Sequence, residues 1–153
     1  MKDEGRAQVE SPLLKGLNHI TLSVSDLSRS VDYYTELLGF SVRARWNKGA
    51  YLTLGDLWLC LSHDAHVRSG PLAEYTHFAL SVDRADFNAF VRKVAEGAHP
   101  TWKENTSEGE SIYLLDPDGH KLEVHAGSFE SRLAAFRKEP YDGLVLYDEE
   151  HKG

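Results

Sequence analysis

The chain has 153 residues, 41% of them hydrophobic and 27% charged, with a formal net charge of −7. That is one domain's worth of ordinary globular sequence; its acidic balance, without a basic run, argues against nucleic acid as a partner, and no stretch is apolar for long enough to span a membrane. A single cysteine, Cys60, excludes an internal disulfide framework and fits a reducing, cytoplasmic setting.

Residues 1–15 mix charged and polar side chains without an apolar run, so they are expected to form a flexible leader and not a signal peptide. From Gly16 the pattern becomes regular. Ile20, Leu22 and Val24 alternate with His19, Thr21 and Ser23, the period of a strand with one apolar and one polar face. Leu27, Val31, Tyr34 and Leu38 then recur at helical spacing, with Asp26 or Ser28 as cap and Gly39 closing the end. Strands are predicted over 40–46, 50–54 and 58–62, separated by Asn47-Lys48-Gly49 and Gly55-Asp56 turns.

The second half repeats this order. Phe78, Leu80 and Val82 oppose His77, Ala79 and Ser81, and Phe87, Phe90, Val91 and Val94 mark a helix ended by Gly97. Strands follow around 101–104, 111–115 and 121–125, with Asp116-Pro117-Asp118-Gly119 as a turn. An amphipathic turn carries Phe129, Leu133 and Phe136, and residues 143–153 are expected to form a flexible tail. The class is α+β: two β-α-β-β-β modules, about 16–63 and about 74–126, with a C-terminal segment at about 127–142. Two twisted, polar-faced sheets of this kind can curl into a cupped mixed sheet with the helices outside.

The repeat gives His19 and His77 equivalent places, each on the polar face of its module's first strand. A lone strand histidine is usually an ordinary surface or hydrogen-bonded residue; two at matched positions, with a carboxylate at Glu123, make a set of metal ligands. Glu123 lies opposite Leu122 and Val124, and Cys60 holds the corresponding place in the first module. That asymmetry argues for one metal per pair of half-sites. His125, on the face of Glu123, is the main competing ligand, and His63, His66, His99, His120 and His151 are expected at the solvated surface.

These elements together resemble the vicinal oxygen chelate superfamily, and within it most nearly the FosA-type fosfomycin resistance proteins, which are manganese-dependent glutathione transferases. The likeness runs from about Gly16 to about Tyr141. It is carried by Gly16-Leu17-Asn18-His19, the stretch from Arg45 to Leu52, Leu57 to Ser62, Tyr75-Thr76-His77, the loop from Trp102 to Ser111, and Asp116 to Glu123. The module pattern is shared by many activities; the Lys103-to-Ser111 stretch is much more specific.

The resemblance implies that His19, His77 and Glu123 bind Mn2+. It also implies a domain-swapped homodimer in which His19 of one subunit completes the site holding His77 and Glu123 of the other. It implies phosphonate binding by Lys103, Ser107, Tyr113 and Arg132, and a K+ site from Asn105, Ser107, Gly109 and Ser111. In the implied reaction the glutathione thiol opens the epoxide of fosfomycin. Thr21 donates a hydrogen bond to a substrate oxygen, and Tyr51 contacts the thiol. Trp46, Trp58 and Cys60 wall the cavity, with Cys60 an inert thiol.

Lys48 departs from the glutamine common among close relatives, and Gly49 stands where epoxide-hydrolase relatives carry a carboxylate base. The competing readings are a thiol transferase using cysteine or bacillithiol, and a non-catalytic drug-binding protein of the same fold. An Fe2+ dioxygenase gives no reason for the Lys103, Ser107 and Arg132 cluster, and a glyoxalase would need a fourth ligand where Cys60 stands.

Overall fold

In a computed structural model describing residues 11–147, the chain forms two four-stranded sheets and three helices. The first module comprises β1 (Ile20–Val24), α1 (Leu27–Asp32), β2 (Ser41–Trp46), β3 (Gly49–Leu54) and β4 (Leu57–His63). The second comprises β5 (Phe78–Ser81), α2 (Arg84–Glu96), β6 (Thr101–Lys103), β7 (Glu110–Leu115) and β8 (Lys121–Ala126), followed by α3 (Phe129–Lys138). Asp26 caps α1 through the Arg29 amide, as its side-chain chemistry predicts, and a π-type turn over Tyr33–Leu37 extends the helix. The expected short amphipathic turn after Gly127 is a full ten-residue helix, closed at its start by a reciprocal Ser128–Ser131 capping box.

Both sheets have the same wiring, β1-β4-β3-β2 and β5-β8-β7-β6, with the first pair parallel and the others antiparallel. The register makes the repeat residue-specific. Thr21 pairs with Cys60 and Cys60 with Tyr51, while Ala79 pairs with Glu123 and Glu123 with Tyr113. Cys60 therefore occupies the place of Glu123, as the repeat predicts. Even the irregularity recurs: β2 slips between Val42 and Ala44, and β6 between Thr101 and Lys103.

The apolar strand faces and helices share one core. Leu22, Val24, Val31, Tyr34, Leu52 and Leu61 join Leu80, Val94, Leu114, Leu122 and Val124 in a single buried cluster. A buried polar seam also joins the modules. The Asp118 carboxylate accepts from the Ser25 amide at 3.1 Å and the Ser25 hydroxyl at 2.6 Å, and the Tyr34 hydroxyl donates to Asp116 at 2.7 Å. Burial pushes the Asp116 carboxyl up, and burial beside Asp116 raises the Tyr34 hydroxyl well above its usual range, which keeps it a donor.

His120 is part of this seam, and so corrects its expected surface place: it is buried, and its Nε2 donates to the Ser23 carbonyl at 2.7 Å. His99 is half-buried edge-on to Tyr33, whereas His63 and His66 are exposed as expected, and His151 lies outside the described residues. Removing the acceptor with Asp118→Ala should cost about 3 kcal/mol, since hydrogen bonds to buried charged groups are the strong ones. Denaturant unfolding at fixed protein concentration checks this; a midpoint within error of wild type would remove the seam from the stabilising terms.

Of the expected leader, residues 1–10 lie outside the described residues, as do 148–153 of the expected tail; 11–15 are exposed and without regular structure. Among the described residues, no helix is long and apolar enough to cross a membrane.

Candidate metal centre and anion pocket

Each sheet presents one row of functional side chains. In the second module the row across β5-β8-β7-β6 reads Ala79, Glu123, Tyr113, Lys103. His77 stands one residue before β5, and its Nε2 lies 3.2 Å from Glu123 Oε1. Its Nδ1 lies 2.7 Å from the Tyr75 carbonyl, which can only accept, so Nδ1 carries a proton. In the neutral ring, Nε2 then turns a lone pair toward a carboxylate oxygen. Two acceptors so placed repel one another unless a cation or proton lies between them. An imidazole oriented by a backbone carbonyl is also the usual arrangement of a metal-ligating histidine.

Glu123 is only 8% exposed, so its carboxylate needs partners. Its second oxygen, Oε2, accepts from the Ser111 hydroxyl at 2.5 Å, while Oε1 faces His77. Among the described residues no third His, Cys, Asp or Glu of the same chain closes a metal site here. The neighbouring His125 turns Nδ1 to the Ser111 hydroxyl at 2.6 Å.

The first module carries the remaining expected ligand. His19 immediately precedes β1, exposed at the edge of its sheet, with Nδ1 2.7 Å from the Asn18 side-chain oxygen. Nε2 of His19 has no hydrogen-bond partner among the described residues, whereas Nε2 of His77 faces Glu123 Oε1. The ring lies against Trp58, with centroids 4.4 Å apart; Tyr51 meets Trp58 edge-on at 5.1 Å, and Trp46 meets Tyr51 at 4.9 Å. Thr21, half-buried Cys60 and Tyr51 form the row beneath. The buried Trp58 indole N–H has no hydrogen-bond partner among the described residues. His19 and His77 thus lead strands of different sheets, and among the described residues His19, His77 and Glu123 do not come together as a metal-binding group.

The expected anion-binding residues do converge. Lys103 Nζ donates to the Tyr75 hydroxyl at 2.9 Å and stands 4.8 Å from the Tyr113 ring centre. The Tyr75 contact holds its ammonium above the ordinary lysine range, so it stays charged. Arg132 reaches from α3 to the 105–109 loop, 3.4 Å from the Ser107 hydroxyl and 3.3 Å from the Glu108 carboxylate. Asn105 braces that loop, donating to the Gly109 carbonyl at 2.7 Å and accepting from Ser107 at 3.1 Å and from the Tyr113 hydroxyl at 3.5 Å. Of the four expected K+ ligands, Asn105, Ser107 and Gly109 are linked in this way, while the Ser111 hydroxyl points to Glu123.

Two contributors escaped sequence reasoning. Tyr75 presents its hydroxyl to Lys103 and its carbonyl to His77. Trp102 lies 5.4 Å from the His77 ring and 5.2 Å from Tyr113, beside Lys103. Strict alternation would put Trp102 and Lys103 on opposite faces; the slipped register of β6 overrides it. Both lie in stretches that carry the family likeness, and their aromatic character beside the expected ligands is the signal that could have found them.

The model of the Glyoxalase/Bleomycin resistance protein/Dioxygenase superfamily matches residues 16–124. The chain belongs to that superfamily. Among its relatives in the superfamily, glutathione transferase FosA of Serratia marcescens is 51% identical over 90% of this chain and 99% of its own. Metallothiol transferase FosB of Shouchella clausii is 37% identical over 92% of this chain and 99% of its own. In structure, the chain matches a single-site mutant of the fosfomycin resistance protein FosX from Listeria monocytogenes, complexed with Mn(II) and 1S,2S-dihydroxypropylphosphonic acid. That match has a TM-score of 0.71 at 26% identity and covers 81% of this chain and 99% of the other. The expected kinship with FosA-type proteins therefore holds, and so does the paired-module fold.

Proposed function

We propose that this protein inactivates fosfomycin as a cytoplasmic, Mn2+-assisted glutathione transferase, working as a homodimer whose subunits share each metal site. The observation that carries this reading is the pairing of His77 Nε2 with Glu123 Oε1 in one row with Lys103 and Tyr113: a cation site and an anion site side by side. Identity of 51% to a glutathione transferase supports the thiol, and the FosX complex supports Mn2+ among the ions a two-histidine, one-carboxylate set could hold. The Nδ1 contacts of His19 and His77, which leave Nε2 of each ring to serve as a ligand, support closure by the partner subunit's copy of the first module.

In this reading His19, His77 and Glu123 hold the ion. When bound, Mn2+ supplies Lewis acidity at the oxygen where negative charge develops as the ring opens. The chain's own residues do the rest. Lys103, with Tyr113, Ser107 and Arg132, binds the phosphonate and fixes the epoxide carbon before the incoming sulfur. Tyr51 donates a hydrogen bond to the glutathione sulfur and favours its thiolate, and Thr21 donates to a substrate oxygen. Trp46, Trp58 and Cys60 shape the wall and exclude water. Asn105, Ser107, Gly109 and Ser111 would hold K+, which would supply charge compensation for the phosphonate.

Glycine at position 49 brings no carboxylate base, which supports a thiol, and not water, as the nucleophile. A Cβ there would overlap Trp46 Cζ2, so a carboxylate would displace the ring that packs on Tyr51. A thiol other than glutathione, cysteine or bacillithiol, remains the alternative that the FosB kinship brings, and a purely drug-binding role would leave the His77–Glu123 pair without a purpose. The test is 31P NMR of fosfomycin with protein, Mn2+ and glutathione, each component left out in turn. A new phosphonate resonance is expected only in the full mixture, growing faster with K+ than with Na+. No new resonance in the full mixture would end the transferase reading.

A further inference from the structure

The Ser111 hydroxyl has two short contacts and a single hydrogen. Oγ lies 2.5 Å from Glu123 Oε2 and 2.6 Å from His125 Nδ1. The ionised carboxylate can only accept, so the hydroxyl donates to Glu123 and accepts from His125, which fixes the proton of that imidazole on Nδ1. His125 Nδ1 is also 3.5 Å from Glu123 Oε2, along the same edge.

The surrounding backbone is shaped to hold the ring there. Gly109, at φ +78°, lies over His125 so closely that a Cβ would come within 2.8 Å of Cε1. Gly127 lies against the other end, where a Cβ would overlap Nε2. No side chain other than hydrogen fits at either place without moving the imidazole. The far nitrogen is walled by glycine backbone, while the near nitrogen faces Ser111.

We propose that His125 is a positioning residue: through the Ser111 hydroxyl, its Nδ1–H holds Oε2 of Glu123 so that Oε1 stays turned toward His77. It acts on the ligand and not on the ion, which separates it from the competing-ligand role its strand face suggests. The inference rests on the Mn2+ reading above. It explains why a buried carboxylate keeps one oxygen free: the relay occupies the other.

The test is Mn2+ affinity, read from the electron paramagnetic resonance of free Mn2+ during titration of the full chain, with no turnover involved. Leu and Asn have nearly the same shape, and only Asn can replace the Nδ1 donor. His125→Leu and Ser111→Ala should each weaken Mn2+ binding about 10–100-fold, the usual cost of losing an outer hydrogen bond to a metal ligand. His125→Asn should stay within about threefold of wild type, and the double variant His125→Leu/Ser111→Ala should be no weaker than the Ser111→Ala single, because both break one relay. Near-UV circular dichroism of the metal-free variants checks that the fold is kept, and Ser111→Ala carries the test if His125→Leu misfolds.

Wild-type-like affinity in both His125→Leu and Ser111→Ala would overturn the inference. So would fully additive losses with no rescue by Asn, which would make the imidazole a ligand. A wild-type protein that binds no Mn2+ would overturn the metal reading and this inference together; the other two outcomes leave that reading standing.

Discussion

Glu123→Gln should yield a folded protein that has lost Mn2+ binding and about a thousandfold or more of its Mn2+-dependent turnover. The substitution keeps shape and most contacts. The amide oxygen can still accept from Ser111, and the amide nitrogen can donate to His77 Nε2, where two acceptors now face each other. The metal-free protein should therefore be as stable as wild type, or more so, since a buried charge has been removed. What disappears is the anionic ligand. A metal's stabilisation of transition-state charge is worth several kcal/mol, and about 4 kcal/mol corresponds to a factor near a thousand. Thermal unfolding of the metal-free form, Mn2+ titration and 31P NMR turnover check the three parts. Undiminished turnover would move the carboxylate role away from Glu123.

Lys103→Met should lower kcat/KM for fosfomycin about 10–100-fold while leaving Mn2+ affinity unchanged. Methionine keeps an unbranched stem that can lie against Tyr113, so the loss is that of the ammonium and its bond to Tyr75. A hydrogen bond to a charged group contributes about 1.5–3 kcal/mol, which sets the range. The separation of the two readouts is the informative part. In the proposed site Glu123 belongs to the cation half of the row and Lys103 to the anion half, two strands away. A parallel loss of Mn2+ affinity in Lys103→Met would mean that the two halves do not act separately. An unchanged kcat/KM would take the phosphonate away from this lysine.

Much of this was legible in the chain. The alternation that puts Ile20, Leu22 and Val24 on one face and Thr21 and Ser23 on the other is what the burial pattern shows. The repeat located Cys60 at the place equivalent to Glu123 because both modules pair their strands in the same order. Local chemistry also read correctly at Asp26, whose side chain caps α1.

What escaped was non-local or irregular. His120 looked like a post-turn surface residue, yet the packing of the second module on β1 buries it against the Ser23 carbonyl, 97 positions away in sequence. Trp102 was hidden by a register slip that alternation cannot foresee. The resemblance implies Ser111 as a K+ ligand, and its strand face makes His125 the main competing metal ligand. Their relay to Glu123 needed the β7–β8 register, which pairs Ser111 with His125.

The separation of His19 and His77 onto two sheets leads to the most direct test of the account. Two inactive variants, His19→Ala and His77→Ala, are mixed under conditions that exchange subunits, then assayed on fosfomycin with Mn2+ and glutathione. If each site takes His19 from one subunit and His77 from the other, a mixed dimer contains one doubly altered site and one intact site. Random exchange then restores about a quarter of wild-type turnover, since half the dimers are mixed and each has half its sites. A mixture no more active than its parents would contradict the shared site, because a site built within one chain would remain broken in both.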